Sequence, residues 1–421
     1  MQAAHAAPKG SEFAHNWTHE QGMVFLNHGS FGGCPRAVLD AQSEFRSRME
    51  SEPVRFFVEQ LQGLMDETRD AVAGFVDCDW DCLAFLPNAT TGVAVALENV
   101  RLQPGDEILV NDHEYPACLN NVRRIAARTG AKVVKVTLPW PLPKAGARQS
   151  IIDAILGGIT PRTKVALVSH VTSPSALVLP IEQLIPVFKQ RGILSLIDGA
   201  HAPGMIGGLS IRRLDPDFYT ANCHKWTCSP KGSALLYVRK ELRDGFRPLV
   251  LSNNAELPKP GRPQFLTEFD YIGTGDYSAI LSIPAALRTM GGFLPGGFSS
   301  VMRRNRELAL RARALINEHF GNGALAPDDM IGSIAAMLLP ARGDGAPPST
   351  RPPTSRYGDP LQERLIDKWK IQVPVWGVPG TPQRVLRISA QLYNSFEQYE
   401  YLLQALKEEL ASERRAPAAA L

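Results

Sequence analysis

The feature that most constrains the fold is an alternation between residues 60 and 250. Short apolar runs at 83–86, 107–110, 132–137, 164–169, 194–197, 218–220 and 234–238 are separated by longer helix-compatible stretches at 90–98, 119–128 and 181–191 and before Pro161. The runs are rich in Val, Ile and Leu and do not alternate with polar residues, as expected of strands covered on both faces. The pattern predicts an α/β fold: a three-layer, doubly wound, mostly parallel sheet clothed by helices. Ligands in such sheets bind beyond the carboxyl ends of the strands.

The texture changes after about residue 280. Helices are expected at 282–290, 301–319 and 395–413, with a short β-like run at 385–389, so a smaller C-terminal α/β domain is expected over 281–421. A large ligand-binding domain over 21–280 follows an N-terminal arm, 1–20, expected to be loose. The Pro/Gly/Ser/Arg-rich stretch 341–360 is a loop that could serve as a lid, and the tail 416–421 should fray. A chain of 421 residues, 44% of them hydrophobic, can bury both cores.

Net charge is +3 with both signs dispersed, which argues against a nucleic-acid partner. No apolar stretch has the length of a signal peptide or a membrane span, so a cytoplasmic protein is expected. The six cysteines lack the CxxC pairs of a zinc site, and no metal is expected.

Three points should converge at the strand ends. Asp198 follows one run and precedes Gly199-Ala200-His201. Lys225 follows the next, in Asn222-Cys223-His224-Lys225-Trp226. Asn88-Ala89-Thr90-Thr91-Gly92 opens a helix. A buried lysine can form an imine with an aldehyde. A carboxylate can hold a pyridine nitrogen protonated, and a helix start offers N–H groups to a phosphate. The set suits pyridoxal 5′-phosphate (PLP), although another nucleotide-type cofactor would also suit these spacings.

Several segments, in one order, carry a more specific likeness: Phe25-Leu26-Asn27-His28-Gly29-Ser30-Phe31-Gly32, Asn111-Asp112-His113-Glu114-Tyr115, Ser169-His170-Val171-Thr172-Ser173, Asp198-Gly199-Ala200-His201, and His224-Lys225-Trp226 with Pro230-Lys231-Gly232. Together they resemble the class V aminotransferases of PLP fold-type I, and within them the isopenicillin N epimerase-like branch, related to cysteine desulfurases. The resemblance implies PLP held covalently on Lys225, which also moves the α-proton, with Asp198 on the ring nitrogen and His201 near the ring hydroxyl. Ala89, Thr90, Asn222 and His224 would hold the phosphate. Tyr115, or failing it His113, would cover the open ring face, and Ser173 would lie near the ring hydroxyl. Arg387 would grip the substrate carboxylate, and Asn27 and His28 would shape the substrate pocket. Gly273-Thr274-Gly275 resembles the stretch that reaches a partner's phosphate site, which implies a homodimer.

The substrate implied is an amino acid or amino-acid conjugate that reacts at its α-carbon. Epimerisation leads; a C–S lyase of cysteine conjugates or sulfoxides, a transaminase, or a non-catalytic PLP-binding module are the alternatives. Inversion needs a proton donor on each ring face: Lys225 serves one, and Tyr115, His28 or a water could serve the other. The desulfurases need a nucleophilic cysteine ahead of the carboxylate-binding arginine, and residues 342–387 contain none.

Overall fold

The computed structural model describes residues 6–341, 356–377 and 383–415. Twelve strands are described: β1 (Val24–Phe25), β2 (Leu83–Leu86), β3 (Glu107–Asn111), β4 (Lys132–Val136), β5 (Thr163–Ser169), β6 (Leu194–Asp198), β7 (Phe218–Asn222), β8 (Ala234–Val238), β9 (Ile334–Leu339), β10 (Ile371–Gln372), β11 (Val375–Gly377) and β12 (Arg384–Ser389). The main sheet runs β2-β8-β7-β6-β5-β3-β4. Only β8 opposes its neighbours, β2 and β7; the remaining pairs are parallel. The apolar runs form these strands because helices bury them from both sides; every residue of β2, β3, β7 and β8 is buried. β4 departs from this pattern. It lies at the sheet edge and exposes Lys132, Val133 and Lys135, so its apolar content reflects one covered face.

Two helices begin just beyond the carboxyl ends of their preceding strands. Ala89–Asn99 (α1) starts three residues after β2, and the Asn88 side chain caps it by accepting from the Thr91 N–H at 2.9 Å. Pro116–Thr129 (α2) follows β3 with Pro116 in its first turn, where a missing N–H costs nothing, and ends at Gly130 in the left-handed region.

The C-terminal region holds an antiparallel sheet, β11-β12-β9. Helix Gly297–Phe320 packs on β9 and on helix Phe396–Arg415. β1 pairs in parallel with β10, tying the start of the described chain to this region. We propose the division at about residue 280 as two packing units on either side of the site.

The part of the expected loose arm that is described, 6–20, is docked at Ser11 and Trp17. The Ser11 N–H donates to the Tyr393 carbonyl at 3.0 Å. Trp17 is buried, stacks on Phe293 at 5.5 Å and donates its indole N–H to the Gly33 carbonyl. Most of the expected lid, 342–355, and the expected frayed tail, 416–421, lie outside the described residues. Among the described residues no helix is long and apolar enough to cross a membrane.

Candidate active site

β3, β5, β6 and β7 end on Asn111, Ser169, Asp198 and Asn222, so the strand ends themselves deliver polar side chains to one edge of the sheet. There a cavity of about 380 Å³ opens. Ala89, Thr90, Tyr115, Ser173, Asp198, His201, Asn222, His224 and Lys225 line it, together with Ser30, Phe31, Ser169 and Lys231. The strand and turn leading to Lys225 are held by close approaches of two glycines. Gly32 has φ 72°, and a Cβ there would stand 1.8 Å from the His224 carbonyl oxygen. A Cβ on Gly199 would stand 2.4 Å from the Tyr219 ring. Only glycine allows these contacts.

Lys225 Nζ lies 3.1 Å from His201 Nε2, and the Trp226 indole N–H points at His201 Nδ1 at 3.3 Å. An indole N–H can only donate, so Nδ1 accepts. Burial, and then the positive field of Lys225, hold the imidazole neutral, well below its ordinary titration range. The hydrogen of the neutral ring therefore sits on Nε2, from which it can be donated to Nζ when the amine is unprotonated. Burial and then Arg387 lower the Lys225 amine to about 7, against the opposing pull of Asp198 and Cys118. The amine is thus available as a nucleophile or base near neutral pH.

Asp198 is buried. Its carboxylate accepts from the Ala200 N–H at 3.0 Å and from the Cys118 thiol at 3.3 Å. Burial raises its pKa above the usual carboxylate range; a cation brought to its free edge would reverse that. At the start of α1 the Ala89 N–H donates to Asn222 Oδ1 at 2.8 Å. Asn222 thus joins the end of β7 to the helix start, and Thr90 faces the cavity beside them. His224 donates from Nδ1 to the Ser233 carbonyl at 3.0 Å, and burial followed by Lys225 lowers it to about 4.

Arg387 is buried on β12. It donates from Nη1 to the Ser173 carbonyl (2.6 Å) and hydroxyl (3.1 Å), and from Nη2 to Ser30 Oγ (3.0 Å), while its Nε has no partner among the described residues. The guanidinium carbon lies 5.1 Å from the centre of the Trp376 ring. No carboxylate pairs with it among the described residues, and burial lowers it to about 10. A buried guanidinium held by neutral acceptors is a ready partner for an anion.

Three expected residues stand elsewhere. His28 does not line the cavity. Its Nε2 donates to the Lys225 carbonyl and its Nδ1 accepts from the Tyr393 hydroxyl, both at 2.9 Å, so neither nitrogen is left for a substrate. Asn27 stands one contact back, accepting from Ser30 Oγ at 2.6 Å, and reaches the cavity only through Ser30 and Arg387. Thr274 is exposed, 3.1 Å from the Tyr271 hydroxyl, and takes no part in this chain's cavity. Of the two candidates for the open ring face, Tyr115 lines the cavity, whereas His113 turns to Ser175 (2.7 Å) and Trp140. Ser30, Ser169, Trp226, Glu114 and Cys118 carry no role that sequence alone assigns. All five sit in or beside the motif segments, but only their tertiary contacts single them out.

The donor set fits PLP. An amine lowered toward neutral pH, a buried carboxylate and a polar helix start share one cavity, and a buried guanidinium with no carboxylate partner among the described residues stands one contact behind it, on Ser30 and Ser173.

The family model described as aminotransferase class-V matches residues 25–328. An isopenicillin N epimerase of Amycolatopsis lactamdurans is 32% identical over 396 residues, covering 91% of this chain and 94% of that protein. An L-cysteine desulfhydrase of Arabidopsis thaliana is 26% identical over 428 residues, covering 94% and 89%. Among solved structures, the cystine C–S lyase C-DES in complex with its product cysteine persulfide aligns with TM-score 0.73 at 20% identity, covering 91% of this chain and 97% of that one. The cysteine desulfurase CsdA of Escherichia coli aligns with TM-score 0.72 at 22% identity, covering 95% and 98%. The fold is that of PLP fold-type I, PLP is the family's cofactor, and the chain belongs to the aminotransferase class-V family.

Proposed function

We propose that this chain removes the α-proton of an amino acid with Lys225 as its base, and that the outcome the geometry suits best is one-base chemistry: elimination across a C–S bond. When bound, PLP supplies an electron-accepting ring that weakens the bonds at the α-carbon. Lys225 holds the cofactor covalently and, released from it, takes the proton with the amine lone pair that His201 orients. Asp198 keeps a ring nitrogen cationic. Thr90, Asn222 and His224 hold the phosphate, with Ala89 joining them only if its N–H is released from Asn222, and a dianion beside His224 would favour its protonated, donating form. Arg387 binds the substrate carboxylate, with its Nε–H unpartnered among the described residues and Ser173 and Ser30 keeping the fork in place. Tyr115 covers the ring.

The observation that carries the one-base reading is the engagement of His28 at both ring nitrogens, away from the cavity. Inversion would need a second proton donor. The epimerase reading is kept because Tyr115 lines the cavity and could fill that role, and because an epimerase is among the relatives. A persulfide carried on the enzyme is disfavoured, since all six cysteines are buried. Their free thiols suit a cytoplasmic setting. A homodimer in which Thr274 serves the partner's phosphate site would account for the exposed turn around Thr274.

The test is incubation of the PLP-loaded enzyme with cysteine, cysteine conjugates and bulky amino acids in deuterated water. The proposal expects a keto acid and a sulfur product. Recovered substrate carrying deuterium at an inverted α-carbon, without those products, would establish the epimerase instead.

A further inference from the structure

We propose that Glu114 is a positioning residue that works as a neutral acid: its carboxyl O–H donates to Ser169 Oγ, which turns the Ser169 hydroxyl hydrogen into the cavity as a donor to the bound ligand. The inference rests on the cavity as the ligand site proposed above.

Glu114 is buried one residue ahead of Tyr115. Its Oε1 accepts from the Ser169 N–H at 3.0 Å and also from the Asn111 side-chain amide. Its Oε2 meets only Ser169 Oγ among the described contacts. This is the pattern of a carboxylic acid, with one oxygen saturated by two N–H donors and the other facing a hydroxyl that can accept. Ser169 ends β5, lines the cavity, and pairs in register with Asp198 on β6. Its hydroxyl has one hydrogen. If Glu114 is ionised, that hydrogen must point back at the carboxylate, and the cavity sees only lone pairs. If Glu114 is protonated, the hydrogen is free to face the ligand. A single proton therefore sets the polarity of a cavity-wall group.

The surroundings favour the protonated form. Facing or flanking Glu114 are Asp198 from β6, the Cys118 thiol from α2, Asn111 from β3, and Asp112, His113 and Tyr115 from its own segment. The Lys225 charge acts on Asp198 and Cys118. Burial first, and then the Asp198 charge against the opposing hydrogen bonds, push Glu114 up to about 8. A charged Asp198 favours the protonated form of Glu114, and an acid at 114 leaves Asp198 free to be the charged one.

The test has two readouts. In the ligand-free protein near neutral pH, infrared spectroscopy should show the carbonyl stretch of a buried protonated carboxyl. It should disappear in E114Q, and in the wild type as pH rises through about 8. For PLP affinity, the loss of one donor should weaken the wild type by about five- to tenfold between about pH 7 and about pH 9. E114Q, whose carboxamide offers the same acceptor and an N–H to Ser169, should keep the neutral-pH affinity and lose this added alkaline fall. Any fall caused by Lys225 is common to both proteins, so the difference between them is what is read. An unchanged infrared band in E114Q, or an equal alkaline fall in both proteins, would overturn the proposal. Should E114Q fail to fold, S169A should bind PLP more weakly near neutral pH without the added fall, and its persistence there would be the contrary result. If PLP did not bind at all, the infrared readout would still decide the proton on Glu114, so the two readings fail separately.

Discussion

Arg384 and Arg387 lie on one strand, three residues apart and therefore on opposite faces, and both are buried. Arg384 is enclosed by acids: it meets Glu413 at 2.8 and 3.1 Å and Asp359 at 3.3 Å, and it donates to the Pro340 carbonyl. Burial alone would lower its pKa, yet the two carboxylates hold it above the ordinary value. Among the described residues Arg387 has only serine oxygens and an aromatic face around it, and it is lowered to about 10. One guanidinium is satisfied by carboxylates, while the other meets no anion among the described residues. On the proposed function the difference separates a structural cation from one reserved for a ligand; the family resemblance points to Arg387, and nothing in the local sequence marks Arg384.

The comparison breaks most visibly through R384A. Removing one partner of a buried ion pair should cost about 3–5 kcal/mol of stability by leaving Glu413 and Asp359 uncompensated; chemical denaturation of the ligand-free protein measures this. An effect under about 1 kcal/mol would mean that the network is dispensable. R387A should do the opposite: it should leave the fold and PLP affinity nearly intact and lower kcat/KM by roughly 10- to 150-fold, the worth of about 1.5–3 kcal/mol for charged hydrogen bonds. Equal losses of cofactor and substrate binding would make Arg387 a second structural cation. S173D, the smallest of the three, sharpens the contrast by giving Arg387 the acid that Arg384 already has. It should raise KM for carboxylate-bearing substrates by about tenfold, or about 1.4 kcal/mol, with no loss of thermal stability; an unchanged KM would place the substrate carboxylate elsewhere.

Much of the fold was legible because burial on both faces writes a strand as an unbroken apolar run. Runs such as Leu83–Leu86 and Ala234–Val238 became strands with the expected bounds. Helices Arg36–Ser51 and Leu61–Val76 and strand Ile334–Leu339 were not anticipated. They lie outside the regular alternation, and the strand's Ile-Ala-Ala-Met-Leu-Leu suits a buried helix equally well. Lys225 and Asp198 were legible because each stands just beyond or at the end of such a run. His28 was not, because its place depends on Tyr393, 365 positions away, and on a backbone carbonyl. Glu114 stood unnoticed between two residues that drew attention, since its burial is a property of α2 and β5 closing over it. Sequence patterns report how a segment is covered more readily than which distant atom a side chain meets.

The central claim is that residue 225 carries the cofactor in the cavity bounded by Asp198 and the start of α1. Borohydride reduction of the PLP-loaded protein, followed by peptide mass spectrometry, tests it most directly. The account predicts a pyridoxyl group on the peptide containing Lys225 and its loss in K225A. A label on Lys231, which also lines the cavity, or a label that persists in K225A, would contradict it.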